Sequence, residues 1–222
     1  MRLLTAAAAA LIAASASAPV AQAGNAAYLG LRGSLVQTED GDTASASIDY
    51  GATYADIGFA AGAFLGWVID ENFRFELSAD YRSSDLDSVH ITRNDFDNST
   101  EGNTYNVGGH ARAGAFMGNL YYDIHCFGDL GFLPWVGAGI GGAYIDYAVS
   151  EPTVTLAAKD NTWALAYQLM AGVTVPLADS LSGSIGYRWF RTEDFTYVDR
   201  FGLGFETKLT QQSIDVGLQF HL

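Results

Sequence analysis

The sequence predicts an all-β fold, eight antiparallel strands closed as an up-and-down transmembrane β-barrel, and three observations carry that expectation. Apolar and polar residues alternate with period two along eight segments, the mark of a strand whose two faces meet different surroundings. The connections between those segments alternate long and short, as they do in barrels with tight periplasmic turns and larger outer loops. An export-type leader precedes them, and no later stretch reaches the ~20 uninterrupted apolar residues that a membrane-spanning helix needs.

The leader comes first in the chain. Arg2 supplies a positive start, Leu3 to Ala14 an apolar run, and Ala21-Gln22-Ala23 a small-residue cleavage site, so residues 1–23 read as a secretory signal peptide. Residues 24–222 then form one domain, with no repeat and no Pro-rich or Ser-rich linker. Its composition suits strongly curved sheet: 25 Gly, 12 Tyr and 13 Phe against 4 Pro. A net charge of −14 argues against nucleic-acid binding, which needs a basic face. Cys126 is the single cysteine, so no internal disulfide supports the fold.

In chain order the predicted strands are Tyr28 to Val36, Gly58 to Ile69, Phe73 to Arg82, Tyr105 to Asp123, Phe132 to Tyr147, Trp163 to Val175, Leu181 to Phe190 and Ser213 to Leu222. The third is the clearest: Phe73, Phe75, Leu77, Ala79 and Tyr81 oppose Arg74, Glu76, Ser78, Asp80 and Arg82. Residues 37–57, 83–104, 148–162 and 191–207 read as long polar outer loops, and 70–72, 124–131 and 176–180 as short turns. A soluble barrel would alternate too. Three features favour the membrane. Tyr28, Trp67, Phe73, Tyr81, Trp163, Tyr187, Trp189 and Phe220 lie near strand ends on the apolar face, as interfacial girdles would. Arg and Glu occupy mid-strand on the polar face, which suits a wet lumen better than a dry core. The last strand also runs to the final residue.

With these residues in view, the chain resembles the bacterial outer-membrane β-barrel family that includes opacity-type surface antigens and the OmpA-like transmembrane domain. The most specific stretches are Asn119-Leu120-Tyr121-Tyr122-Asp123, Pro134-Trp135-Val136-Gly137-Ala138-Gly139-Ile140-Gly141 and Gly186-Tyr187-Arg188-Trp189-Phe190. The alternating end, with Val216, Leu218, Phe220 and Leu222 on one face, is similar to the signal read by the barrel-assembly machinery, with Leu222 where that signal usually closes with Phe. The resemblance implies residence in the outer membrane among its lipids and lipopolysaccharide. A monomer is expected.

For chemistry, the polar faces place Arg32, Arg74, Glu76, Asp80, Arg82, His110, Arg112, Arg188 and Asp215 in the lumen as a charge network. An eight-stranded interior is just wide enough for side chains, so static ion pairs filling it are the favoured reading. Exchange of carboxylate partners by Arg74, Arg112 or Arg188, opening a narrow solute path, is the runner-up. The glycines at 137, 139, 141 and 142 read as space for large neighbours rather than a nucleotide loop, since no helix follows. His90, His110, His125 and His221 lack both ligand spacing and a Ser and acid constellation, so no catalytic, cofactor or metal site is expected and a lipid-modifying enzyme ranks third. The outer segments are acidic, with Glu39, Asp40, Asp42, Asp49 and Asp56 in the first and Asp85, Asp87, Asp95, Asp97 and Glu101 in the second. The sequence therefore points to a structural, surface-displaying barrel, with a narrow porin-like channel as the alternative.

Overall fold

The computed structural model describes residues 27–44, 48–54, 57–95, 101–125, 131–151, 156–198 and 204–222. Residues 1–23, read above as a signal peptide, and Asp56, Asp97 and Cys126 lie outside them. Twelve strands follow in order: β1 (Ala27–Thr38), β2 (Gly41–Ala44), β3 (Ile48–Tyr54), β4 (Gly58–Val68), β5 (Phe73–Asn94), β6 (Thr104–Asp123), β7 (Leu133–Glu151), β8 (Leu156–Ala178), β9 (Leu181–Thr192), β10 (Phe195–Val198), β11 (Gly204–Thr207) and β12 (Thr210–His221). Eight of these close a ring in the order β1, β4, β5, β6, β7, β8, β9, β12 and back to β1, antiparallel throughout. The seam between first and last strands is fully paired, from Tyr28 opposite His221 to Thr38 opposite Gln211. At the turn between β4 and β5 the Asp70 carboxylate accepts the Asn72 and Phe73 amides, both at 2.8 Å, a local bond that stabilises a tight reversal.

Alternation then sorts the side chains. Leu29, Leu31 and Leu35 on β1, Phe75 and Leu77 on β5, Phe116 and Leu120 on β6, and Val216, Leu218 and Phe220 on β12 are exposed on the outer wall. Glu76, Ser78, Asp80, Arg82, Asn119, Gln168, Arg188 and Gln219 are buried inside it. Aromatic pairs mark both margins of the apolar wall. Trp67 with Phe75 and Phe73 with Tyr122 lie near the short turns, and Phe59 with Tyr81, Tyr144 with Trp163 and Tyr167 with Trp189 lie toward the opposite end. Tyr28 corrects the expected girdle. It shares the inward phase of Arg32, four residues on, and is 1% exposed, its ring filling space left by Gly66 on β4.

The expected outer loops are largely pleated. β5 continues to Asn94, β6 begins at Thr104, β7 continues to Glu151 and β8 begins at Leu156, while β2 with β3 and β10 with β11 form two further hairpins. Pairing of β3 with β5, β3 with β2, and β2 with β11 carries the sheet above the membrane barrel as a collar. Alternation conceals this in the sequence because the ladder slips between Leu86 and Ser88. Inward residues are even-numbered up to Leu86 and odd-numbered at Val89 and Ile91, since a one-residue slip exchanges the two faces. The collar interior is apolar: Ala52, Leu86, Val89, Ala111, Ala113, Ile145 and Phe195 are buried together.

An outward charge in mid-wall should be costly and one on the collar should not. Leu77→Arg is expected to destabilise the lipid-inserted barrel by about 2–4 kcal/mol, and Asp87→Lys by no more than about 0.5 kcal/mol, both read from denaturant unfolding in lipid vesicles.

Candidate functional site

The lumen holds the ionisable groups, each placed by the inward phase of its strand. Arg32 on β1 reaches Glu76 at 2.7 Å and Asp80 at 3.3 Å, both on β5. Arg188 on β9 bridges Asp80 at 3.5 Å and Asp215 on β12 at 2.6 Å. Arg74 makes a two-pronged contact to Asp123, with Nε at 2.6 Å and Nη2 at 2.8 Å. Arg82, 1% exposed, forms no ion pair among the described residues; its guanidinium lies 4.2 Å from the centre of the Phe190 ring. Four arginines (32, 74, 82 and 188) thus face four carboxylates (76, 80, 123 and 215). Charges removed from water are costly unless balanced and hydrogen-bonded; this set is balanced in number, while the buried Nε and Nη1 of Arg82 have no hydrogen-bond partner among the described residues.

Neutral groups complete the network, and the sequence reading passed over them because they are ordinary strand residues. Gln168 donates to Asn119 Oδ1 at 2.6 Å, and Asn119 donates in turn to Glu76 at 3.3 Å and Ser78 at 3.2 Å. Tyr121 donates its hydroxyl to Glu76 at 3.1 Å. Asp123, the partner of Arg74, ends β6 and closes the Asn119 to Asp123 stretch that carries the family resemblance, but nothing in that stretch names its partner. Above these, Gln211 donates to Thr38 at 3.0 Å and Ser84 at 3.3 Å. The apolar cluster fills the collar beyond that layer and also runs down one side of the barrel through Ala115 and Met117, register partners of Asp80 and Ser78. Polar and apolar surfaces therefore share the upper lumen, and the apolar one continues into the collar.

Small residues make the fit possible. A Cβ on Gly139 would strike Asn119, one on Gly137 would meet the Tyr121 ring at 2.7 Å, and one on Gly186 would meet the Trp135 indole at 2.8 Å. Gly142 points outward instead, beneath Trp163. Among the described residues a cavity of about 30 Å³ remains, lined by Arg32, Glu76, Trp135, Ser184, Asp215 and Gln219 among others. That is room for about two waters.

Two of the residues expected in the lumen are elsewhere. On β6 the odd-numbered residues from Ala111 to Asp123 are inward, so His110 and Arg112 face outward. His110 Nε2 lies 3.7 Å from Asp146 on β7, and Arg112 is exposed and register-paired with Asp146. The sequence phase was misread because Gly108, Gly109, Gly114 and Gly118 leave β6 with little polarity contrast. On the collar, Arg93 is held by Asp49 at 2.9 Å and Asp95 at 3.4 Å, and the hydrogen bond to Asp49 raises its pKa above the ordinary arginine value.

This geometry can be set beside known proteins. A family model described as the outer membrane protein beta-barrel domain matches residues 5–221. The chain belongs to that family. Consistent with it, this outer-membrane barrel resembles the crystal structure of OprG from Pseudomonas aeruginosa, with a TM-score of 0.59, 16% identity, and 89% of this chain and 98% of that one covered. It also resembles Neisserial surface protein A, with a TM-score of 0.50, 11% identity, and 88% and 97% covered. At these identities the likeness is one of fold. Uncharacterized proteins of Brucella abortus and Brucella suis are 33% identical over 148 residues, 60% of this chain and 51% of theirs. The barrel chain spans about half the length of these curated relatives.

Among the lumen groups Arg188 has the most to lose. Arg188→Ala would leave Asp80 and Asp215 buried without their shared partner, and an unfolding titration should show a loss of about 3–5 kcal/mol. Replacing the exposed Arg112 by Ala should change stability by less than about 0.5 kcal/mol.

Proposed function

We propose that this outer-membrane barrel is a closed structural element of the envelope that displays its collar at the cell surface and keeps no steady solute path. The observation that carries the reading is the filled lumen: four arginines balanced by four carboxylates, with an apolar section stacked on the collar side. A charged path would have to break buried ion pairs and then wet a dry layer. Either step is costly.

The reading is non-catalytic. Ser182 Oγ and His221 Nε2 lie 3.0 Å apart, but no described carboxylate bonds that imidazole, and the pair is read as a packing contact at the end of the barrel. Outer-membrane lipids and lipopolysaccharide are the natural surroundings of the apolar wall. Val216, Leu218, Phe220 and Leu222, all outward and exposed, are assigned as the signal for the barrel-assembly machinery, and the protein is taken to act as a monomer.

A narrow porin-like channel is the second reading, and the cavity beside Arg32 and Glu76 favours it. Planar-bilayer recordings separate the two. The closed reading expects silence from the folded protein and also from Glu76→Ala, because the apolar section is untouched by that change. Small discrete currents in Glu76→Ala would favour the channel.

A further inference from the structure

One aromatic pair of the outer wall reaches further from the membrane than the girdle residues on the neighbouring strand. On β9 the last apolar outward residue is Trp189, and the outward side turns charged at Arg191, which is paired with Tyr167 on β8. The exposed Glu193 follows, its amide donating to the carbonyl of Leu165 at 2.8 Å. On β8 the apolar side nevertheless continues through Leu165, 45% exposed, to Trp163, 62% exposed. Trp163 lies four residues beyond Tyr167, about 13 Å further along the strand. It therefore stands clear of the level at which its neighbour meets headgroups.

Trp163 is also laid flat. Its partner across the ladder is Tyr144 on β7, ring centres 5.4 Å apart and planes tilted by 56°. The six-membered part of the indole rests over Gly142, at ordinary contact distance, 3.5 Å, from where a Cβ would be, while the indole as a whole stays largely exposed. In the next row outward, three polar residues stand in register on adjacent strands: Arg112 on β6, Asp146 on β7 and Asn161 on β8. His110 joins them beside Asp146. A largely exposed indole bordered by a guanidinium, a carboxylate and an amide matches a sugar ring, whose axial C–H face stacks on aromatics while its hydroxyls take planar polar partners.

We propose that the Trp163 and Tyr144 platform, with Arg112, Asp146 and Asn161, binds the saccharide headgroup of an outer-leaflet glycolipid of the lipopolysaccharide class. The occupant follows from the setting. The platform is continuous below with the lipid-facing wall through Leu165 and Phe116, so a molecule with acyl chains on that wall brings its sugars to this height. Arg112 provides the cation that phosphorylated sugars require. The proposal rests on placement in the outer membrane and not on whether the lumen conducts.

The test uses the full mature chain folded in phospholipid nanodiscs, with the lipid-free core oligosaccharide of lipopolysaccharide as probe and saturation-transfer NMR titration as readout. Saturable binding is expected. Trp163→Phe should stay within about threefold of it, whereas Trp163→Leu should weaken binding about tenfold, ~1.4 kcal/mol. Trp67→Leu, in the opposite girdle, should bind as the parent, and Asn161→Ala should bind more weakly with an unchanged heat-induced mobility shift. Absence of saturable binding by the parent, or Trp163→Leu binding as tightly as the parent, would overturn the proposal. In the latter case Trp163 would be an interfacial anchor, for which leucine serves equally well.

Discussion

Closure of the strand ring is the constraint from which the rest of the molecule follows. In hydrocarbon no water can satisfy a free amide or carbonyl, so a sheet can cross a membrane only if its first and last strands meet. Here β1 and β12 pair along eleven positions, and the termini of the described chain, Ala27 and Leu222, hydrogen-bond each other at 3.0 Å. Once the ring is closed at eight strands its circumference is fixed, and with it a lumen that side chains must fill. The period-two pattern then has no freedom. One face meets lipid and the other meets the opposite wall.

The lumen solves its filling problem with polar groups, and that choice has consequences. An apolar interior would suit stability equally well, since buried ion pairs seldom surpass well-matched hydrocarbon. What the network adds is mutual dependence: Glu76 serves Arg32, Asn119 and Tyr121, and Asp80 serves both Arg32 and Arg188. Strands β1, β5, β6, β9 and β12 are joined across the interior as well as around it. Arg82, with no carboxylate partner among the described residues, is sheltered by Phe190, itself a member of the apolar cluster.

Much of this was legible in the sequence, and the exceptions have physical causes. Phe73 to Arg82 announces its two faces because each contrasts Phe, Leu or Tyr with Arg, Glu or Asp, and the lumen positions of Arg32, Arg74, Glu76, Asp80, Arg82, Arg188 and Asp215 follow from such strands. Strand β6 announces little, because glycine and alanine occupy both faces, and so His110 and Arg112 were assigned to the wrong side. The collar escaped notice for a different reason. Its strands are acidic outside and the bulge after Leu86 breaks the alternation, so pleated sheet resembled loop. Tyr28 illustrates a third limit, since an aromatic at a strand end belongs equally to a girdle or to a lumen, and only the glycine opposite it decides. Partners such as Asp123 and Gln168 are set by which strands become neighbours, which no local pattern records.

A cross-link at the seam tests the closed ring most directly. Leu31 and Leu218 are register partners on β1 and β12, both outward, and opposed residues of paired strands come within the span a disulfide can bridge. In a Cys126→Ser background, Leu31→Cys with Leu218→Cys should oxidise to a bond within one chain in the lipid-inserted protein, revealed by faster migration of the unfolded oxidised chain. Leu31→Cys with Phe73→Cys, placed on strands that are not neighbours, should not. If the seam pair stayed reduced under the same oxidant, or linked only between chains, the first and last strands would not meet and the account of a closed, filled barrel would fail.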